Sequence, residues 1–152
     1  MSITTKTGDS GYTTSINKKR VKKNDKLIRF YGLLDETACR VGVARSFITD
    51  PVLNEKLHSI QKTFLYFFHT ENSAFHIKID EIEEYINTNE KKFTKFTFSG
   101  SNQLNSYLHL ARTGIRILET TYIDYFGTKD KIKLIYLNRL SDYFYVLAEN
   151  YS

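Results

Sequence analysis

Apolar residues recur at helical spacing over most of the chain, and polar residues dominate only its first 24 positions. From Asp25 onward, Ile28, Tyr31, Leu33, Leu34, Ala38 and Val41 fall along one stripe of a 3.6-residue period. That stripe predicts a helix from an Asp25 N-cap to about Ile48. Asp50 followed by Pro51 predicts a stop and a restart, with Asp50 as N-cap and Pro51 at the first helical position. The second helix carries Leu53, Leu57, Ile60, Phe64, Phe67 and Phe68. With Tyr66, its aromatics lie nearly all round, which predicts burial on more than one side and a subunit interface. A shorter third helix is predicted over 79–89, opening on Asp80 and Glu81, which suit the positive end of the helix dipole. The stretch 93–100, FTKFTFSG, alternates, but a lone strand has no partner, so it reads as an extended connector. A fourth helix is predicted over 102–125 with Gly127 as its stop, and a fifth from Asp130 to the end.

One proline and seven glycines are the punctuation of long helices with short connections. The expected architecture is all-α, a five-helix antiparallel bundle. No internal repeat divides the chain. It reads as a single domain over 1–152, with a polar N-terminal segment, 1–24, and a helical bundle, 25–152. Its 152 residues suffice for one sizeable core.

The single cysteine, Cys39, excludes an internal disulfide and fits a reducing compartment, hence a cytoplasmic location. No apolar run approaches membrane-spanning length, and the start lacks the apolar centre of a signal peptide, so no membrane partner is expected. The net charge of +5 is partly concentrated in KKRVKK, Lys18 to Lys23. Such a patch favours an anion: nucleotide, nucleic acid or membrane surface. Its bland alternative is a solvated loop.

The stretch Thr5 to Thr14, TKTGDSGYTT, cannot bury much apolar surface. It does offer backbone N–H groups, hydroxyls and one ammonium, the ingredients of a phosphate cradle. The alternative is an N-terminal turn without a ligand. Asp35 lies in GLLDETA beside Leu34 and one turn after Tyr31, and a carboxylate among such neighbours is costly unless paired. Arg112, Arg116 and Glu119 share one face of the fourth helix, and Asn138 and Asp142 one face of the fifth. Singly these are surface ion pairs. Together with the N-terminal loop they predict charges converging where a nucleotide could sit.

The blocks TKTGDSG, RVKKND, YGLLDE, LHLARTGIRILE and YLNRLSDYFYVLA, in this order over residues 3–149, resemble the PduO-type cob(I)alamin adenosyltransferases. The resemblance implies a five-helix bundle that assembles as a homotrimer, with active sites between neighbouring subunits. It implies transfer of the 5′-deoxyadenosyl group of ATP to the cobalt of cob(I)alamin, with Mg²⁺ present and triphosphate released. A reductase would supply the low-valent cobalt. By position, Thr5, Lys6, Thr7, Gly8 and Asp9 would wrap the ATP phosphates, with Thr13 just beyond, and Lys23 would reach them. Arg116, Ile117, Leu118, Glu119 and Thr120 would lie along the nucleotide, and Asn138 would contact it. Asp35 and Arg112 would bridge two subunits beside the site. Phe96 would stand against the corrin and help displace the lower cobalt ligand. No protein metal ligands are implied.

The residue types suit that chemistry. The corrinoid supplies the nucleophile, so the protein must position the reactants and stabilise the departing triphosphate. No general base is needed, and His58, His69, His76 and His109 read as surface or packing residues. Phe96 has an alternative role as a core plug under the connector, which Phe93 or Phe98 would fill equally well. The chain departs from the family pattern at several places. Ile117 stands where a second arginine is usual, and Thr120 replaces another. Leu27 and Arg29 replace an Arg and a Glu, and Ser99-Gly100-Ser101 replaces PGG. Two rival readings follow. One is a nucleotide- or corrinoid-binding protein that kept the fold and lost the transfer, with Ile117 as its main support. The other is a basic helical module for nucleic acid built on KKRVKK, which lacks a recognition motif and a stacking platform.

Overall fold

The computed structural model describes residues 4, 6–90 and 97–152. Thr5, Phe93 and Phe96 therefore lie outside the described residues. A small hairpin, β1 (Tyr12–Thr14) and β2 (Arg20–Lys22), precedes five helices: α1 (Lys26–Arg45), α2 (Pro51–Leu65), α3 (Asn72–Asn89), α4 (Gln103–Phe126) and α5 (Lys131–Asn150).

The capping residues act as the sequence predicts. Asp25 accepts from the Leu27 N–H and Asp50 from the Val52 N–H, both at 2.9 Å. Caps of this kind contribute about 1 kcal/mol each. Asn102 accepts from the Asn105 N–H to start α4, and Gly127 ends it at a φ of 73°, where a side chain would be strained.

Two boundaries differ from expectation, and so does the N-terminal segment. Helix α1 stops at Arg45 rather than near Ile48, because the N–H groups of Phe47 and Ile48 turn back to Ala44 and Arg45. The Asn54 amide then binds the carbonyls of Arg45 and Ile48 and fixes the turn. Helix α3 begins at Asn72, well before Ile79. Phe75, Ile79 and Ile82 form its buried stripe at i, i+4 and i+7, so Asp80 and Glu81 are mid-helix surface residues and not an N-terminal turn. The polar segment 1–24, for which the sequence pattern predicts no regular element, contains a hairpin: Tyr12 pairs with Lys22, Thr13 with Val21 and Thr14 with Arg20. Strands of three residues with little apolar surface leave no alternation to recognise.

The helices pack in the order α2, α1, α4, α5, α3. Neighbours are antiparallel along most of this series. Helix α3 runs parallel to α5, since Phe75 meets Tyr136 and Tyr85 meets Tyr143. Helices α3 and α4 run in opposite directions, as do α4 and α5, so α3 and α5 point the same way.

One apolar core draws on all five helices. At one end of the bundle Phe30 is fully buried, with the rings of Phe67, Phe68, Tyr122 and Phe126 at 5.9, 5.7, 5.6 and 5.3 Å. The edge-on contacts add about 0.5–1.5 kcal/mol per pair beyond burial itself. The aromatics around the end of α2 are not buried all round, however. Phe64 and Phe67 point inward, whereas Leu65 and Tyr66 are 67% and 56% exposed. Asp35 also departs from expectation. Leu34 and Thr37 take the inward positions of α1, and Asp35 is exposed on the protomer surface. Among the described residues, no helix is long and apolar enough to cross a membrane.

Candidate active site

The N-terminal loop is built from short backbone turns. The Asp9 N–H donates to Lys6 O at 3.3 Å, the Gly11 N–H to Gly8 O at 3.2 Å, and the Lys23 N–H to Gly11 O at 2.9 Å. The last bond ties the loop to the end of β2. It brings the Lys23 ammonium over Gly8, so close that a Cβ at Gly8 would lie 2.9 Å from Lys23 Nζ. Two residues assigned separately to phosphate binding thus form one packed unit. Arg20 donates to Ser10 Oγ at 3.2 Å and lies over the Tyr12 ring. Thr13 is half-buried in β1 and faces Val21. Lys6 adopts a φ of 56° at the start of the turn.

Residues 6–23 hold six cations (Lys6, Lys18, Lys19, Arg20, Lys22 and Lys23) and one anion, Asp9. Six minus one equals the net +5 of the whole chain. The hairpin is therefore the basic pole of the molecule, and an anionic ligand is the partner it attracts. Neither strand packs its backbone against a helix. The hairpin strands and α4 are accordingly not in backbone contact within one protomer.

On α4, Arg116, Ile117 and Thr120 are exposed and Glu119 is half-buried. Leu118 is fully buried, so its side chain serves the core and does not face a ligand; at helical spacing, one residue of any five must turn inward. Thr120 spends its hydroxyl on the carbonyls of Arg116 and Ile117. Asn138 of α5 donates to Glu119 Oε1 at 3.3 Å and accepts from Arg139 Nη1 at 2.8 Å, while Arg139 Nε donates to Glu83 at 2.7 Å. This chain joins α3, α4 and α5 and presents Asn138 and Glu119 together.

Arg112 does not pair with Asp35 within the protomer. Its Nε donates to His109 Nδ1 at 3.3 Å, and its guanidinium lies 5.8 Å from the centre of the Tyr145 ring. His109 is 5% exposed, and its Nε2 faces Glu149 Oε1 at 3.5 Å. Burial, followed by the positive charge of Arg112, holds the imidazole below its ordinary value of 6.5, and Glu149 offsets part of that. Glu149, 6% exposed, also accepts from the Thr97 hydroxyl at 2.6 Å. His109 thus packs as expected, but inside a polar cluster. Sequence reasoning missed Glu149, which reads as a solvated charge at a helix end. The available signal was the i, i+3 pairing of His109 with Arg112. Phe98 is 93% exposed and plugs nothing.

Residues 3–151 match the family model for cobalamin adenosyltransferase. A corrinoid adenosyltransferase of Citrobacter freundii is 30% identical over 164 residues, covering 96% of this chain and 92% of its own length. The human corrinoid adenosyltransferase is 28% identical over 171 residues, covering 96% of this chain and 67% of its own. Among solved structures, a variant PduO-type ATP:corrinoid adenosyltransferase from Lactobacillus reuteri, complexed with cobalamin and ATP, superposes with a TM-score of 0.83 at 30% identity. That likeness covers 99% of this chain and 94% of the other. A match along nearly the whole chain, in sequence and in fold alike, places the protein in the cobalamin adenosyltransferase family.

Proposed function

We propose that this protein transfers the 5′-deoxyadenosyl group of ATP to the cobalt of a reduced corrinoid and releases triphosphate. The observation that carries the reading is the basic hairpin, with Lys23 folded over Gly8 at the point where the family holds phosphate. Lys6, Lys23 and the loop N–H groups match the charge that grows on a leaving triphosphate. Arg116, Glu119 and Asn138 line the α4–α5 face along which the nucleotide would lie, and the cobalt supplies the nucleophile. The protein's contribution is placement, which is worth on the order of 7–11 kcal/mol in favourable systems.

Mg²⁺ would enter with ATP. Among the described residues no three His, Cys, Asp or Glu side chains form a metal cluster. Mg²⁺ is usually held by phosphate oxygens and water with few protein ligands. Asp9 is the one carboxylate of the loop and would be its protein neighbour.

The active unit is a homotrimer in this reading. Val43, Phe47, Leu110 and Ile117 are 42%, 43%, 46% and 46% exposed along the outward side of the α1–α4 pair. An apolar stripe of that kind asks for a cover. Asp35 and Arg112 would meet across the same contact, and the free-standing hairpin of one subunit would reach α4 of the next. A reductase would deliver the low-valent cobalt. The exposed Cys39 suits a reducing cytoplasm.

The test is to mix the protein with ATP, Mg²⁺ and chemically reduced cobalamin and follow the light-sensitive adenosyl product. Sedimentation of the same sample reads the assembly. No product with intact ATP binding would favour the alternative in which the transfer has been lost, for which the exposed Ile117 in place of an arginine is the supporting observation.

A further inference from the structure

The polar cluster where α4, α5 and the connector meet contains two buried titratable residues that the proposed chemistry does not use. Glu149 is a carboxylate inside the bundle, and a buried charge persists only with partners. It has the Thr97 hydroxyl at 2.6 Å and His109 Nε2 at 3.5 Å. His109 Nδ1 in turn accepts from Arg112 Nε at 3.3 Å. Accepting that bond requires Nδ1 to carry no proton, so the imidazole proton sits on Nε2, the atom turned to Glu149. Nε2 is buried without a hydrogen-bond partner among the described residues, and the carboxylate 3.5 Å away acts on its proton as a nearby negative charge, which favours that tautomer.

From this geometry we infer that Glu149 is a positioning residue for Arg112, acting through His109. The Nε of Arg112 is committed to His109, and its two terminal nitrogens have no hydrogen-bond partner among the described residues. The guanidinium is aimed from behind and left open in front. Without the carboxylate, only the Arg112 Nε–H still disfavours a proton on Nδ1, and the Nδ1–H tautomer gains population. It would then oppose the Arg112 Nε–H, donor against donor, and the guanidinium would lose its fixed direction. Tyr145 supports the same arrangement from the side, with its ring against both Arg112 and His109.

The Thr97 bond gives the carboxylate a second task. The start of α4 is fastened to the end of α5 by a series of polar contacts. Asn105 donates to Ala148 O at 3.0 Å and accepts from the Gly100 N–H at 3.1 Å, and Asn102 donates to Tyr151 O. Glu149 is the charged member of that series. It therefore sets the connector and Arg112 from one point.

This inference rests on the reading of Arg112 as a residue beside the substrate, and the test separates the two. In the intact protein, nitrogen NMR of His109 reports which ring atom is protonated. We expect Nε2–H in the wild type and a shift of the proton toward Nδ1 in Glu149→Ala. The second readout is a cycle with Arg112→Ala. Glu149→Ala is expected to lower kcat about ten- to a hundredfold with the KM for ATP unchanged. The isosteric Glu149→Gln, which keeps a weaker acceptor, should fall between. In the Arg112→Ala background both Glu149 variants should have no further effect. Losses that multiply in the two backgrounds would overturn the proposal, as would a wild-type His109 protonated on Nδ1. If Glu149→Ala fails to fold, Glu149→Gln carries the same cycle. A wild type that makes no adenosyl product would sink the functional reading instead, and the tautomer measurement would still decide this one.

Discussion

Helix α4 joins two unlike ends of the bundle. Toward its C-terminus Tyr122 and Phe126 close over Phe30, Phe67 and Phe68 in a packed aromatic layer. Toward its N-terminus Asn105, His109 and Arg112 meet Thr97, Tyr145 and Glu149 in a polar one. The first end is held by area and tolerates no loss of volume. The second is held by directed bonds between few atoms, so each atom has an orientation to keep. Stability belongs to the one and aim to the other, and a single helix carries both.

The largest effect should come from breaking the aromatic end. Phe67→Ala removes a fully buried ring with four aromatic neighbours and is expected to cost about 3–5 kcal/mol in urea unfolding. Activity per folded molecule should hold. A loss below about 1 kcal/mol would mean that the site collapses to fill the space, and the contrast between the ends would weaken. Next comes Asp35→Ala. Because Asp35 is exposed on the protomer, its removal should spare the fold of a subunit. It should loosen the trimer by about 3 kcal/mol by leaving Arg112 unpaired at the contact. Sedimentation at micromolar protein reads this directly, and a monomeric wild type would end the idea.

The hairpin offers a third, smaller case. Gly8→Val would push the Lys23 ammonium off the loop and should therefore mimic Lys23→Ala. Both are expected to weaken ATP binding about tenfold, or about 1.4 kcal/mol, with the melting temperature unmoved. Calorimetric affinities equal to wild type would remove the loop from the site.

The smallest effect sharpens the polar end through pH. The folded state holds His109 below its ordinary 6.5, by burial first and by Arg112 second, while Glu149 pulls the other way. The unfolded chain then takes the proton first as pH falls. Stability from this residue is complete above 6.5 and is lost below it, at no more than about 1.4 kcal/mol per pH unit. His109→Gln should flatten that slope in unfolding curves taken from pH 7 downward. An unchanged slope would assign the acid sensitivity to carboxylates.

What the sequence made legible was local chemistry. Asp25, Asp50 with Pro51, and Gly127 each mark a helix end by their own side chain or its absence, and all three do so in the fold. The motif blocks were equally direct for the family, because each is a short run of neighbouring residues in the chain. Less legible were features set by partners far apart in sequence. The start of α3 depends on Phe75 finding Phe67 and Tyr136. The hairpin strands have no stripe to announce them. Glu149 is buried only because Thr97 and His109 converge on it from other elements. Asp35 failed in the opposite sense: its apolar neighbours along the chain turn inward without it.

The hairpin that stands off the bundle has a consequence for how such a protein changes over generations. A substitution at an exposed position of the two strands disturbs no backbone contact with a helix, since neither strand approaches one. Under the proposed function, selection meets it chiefly through the phosphates the loop would hold. A substitution at Phe30 is judged first by whether the chain folds at all. Under the proposed function, the contacts made from the hairpin are therefore freer to drift than those of α4 and α5, whose residues also belong to the frame.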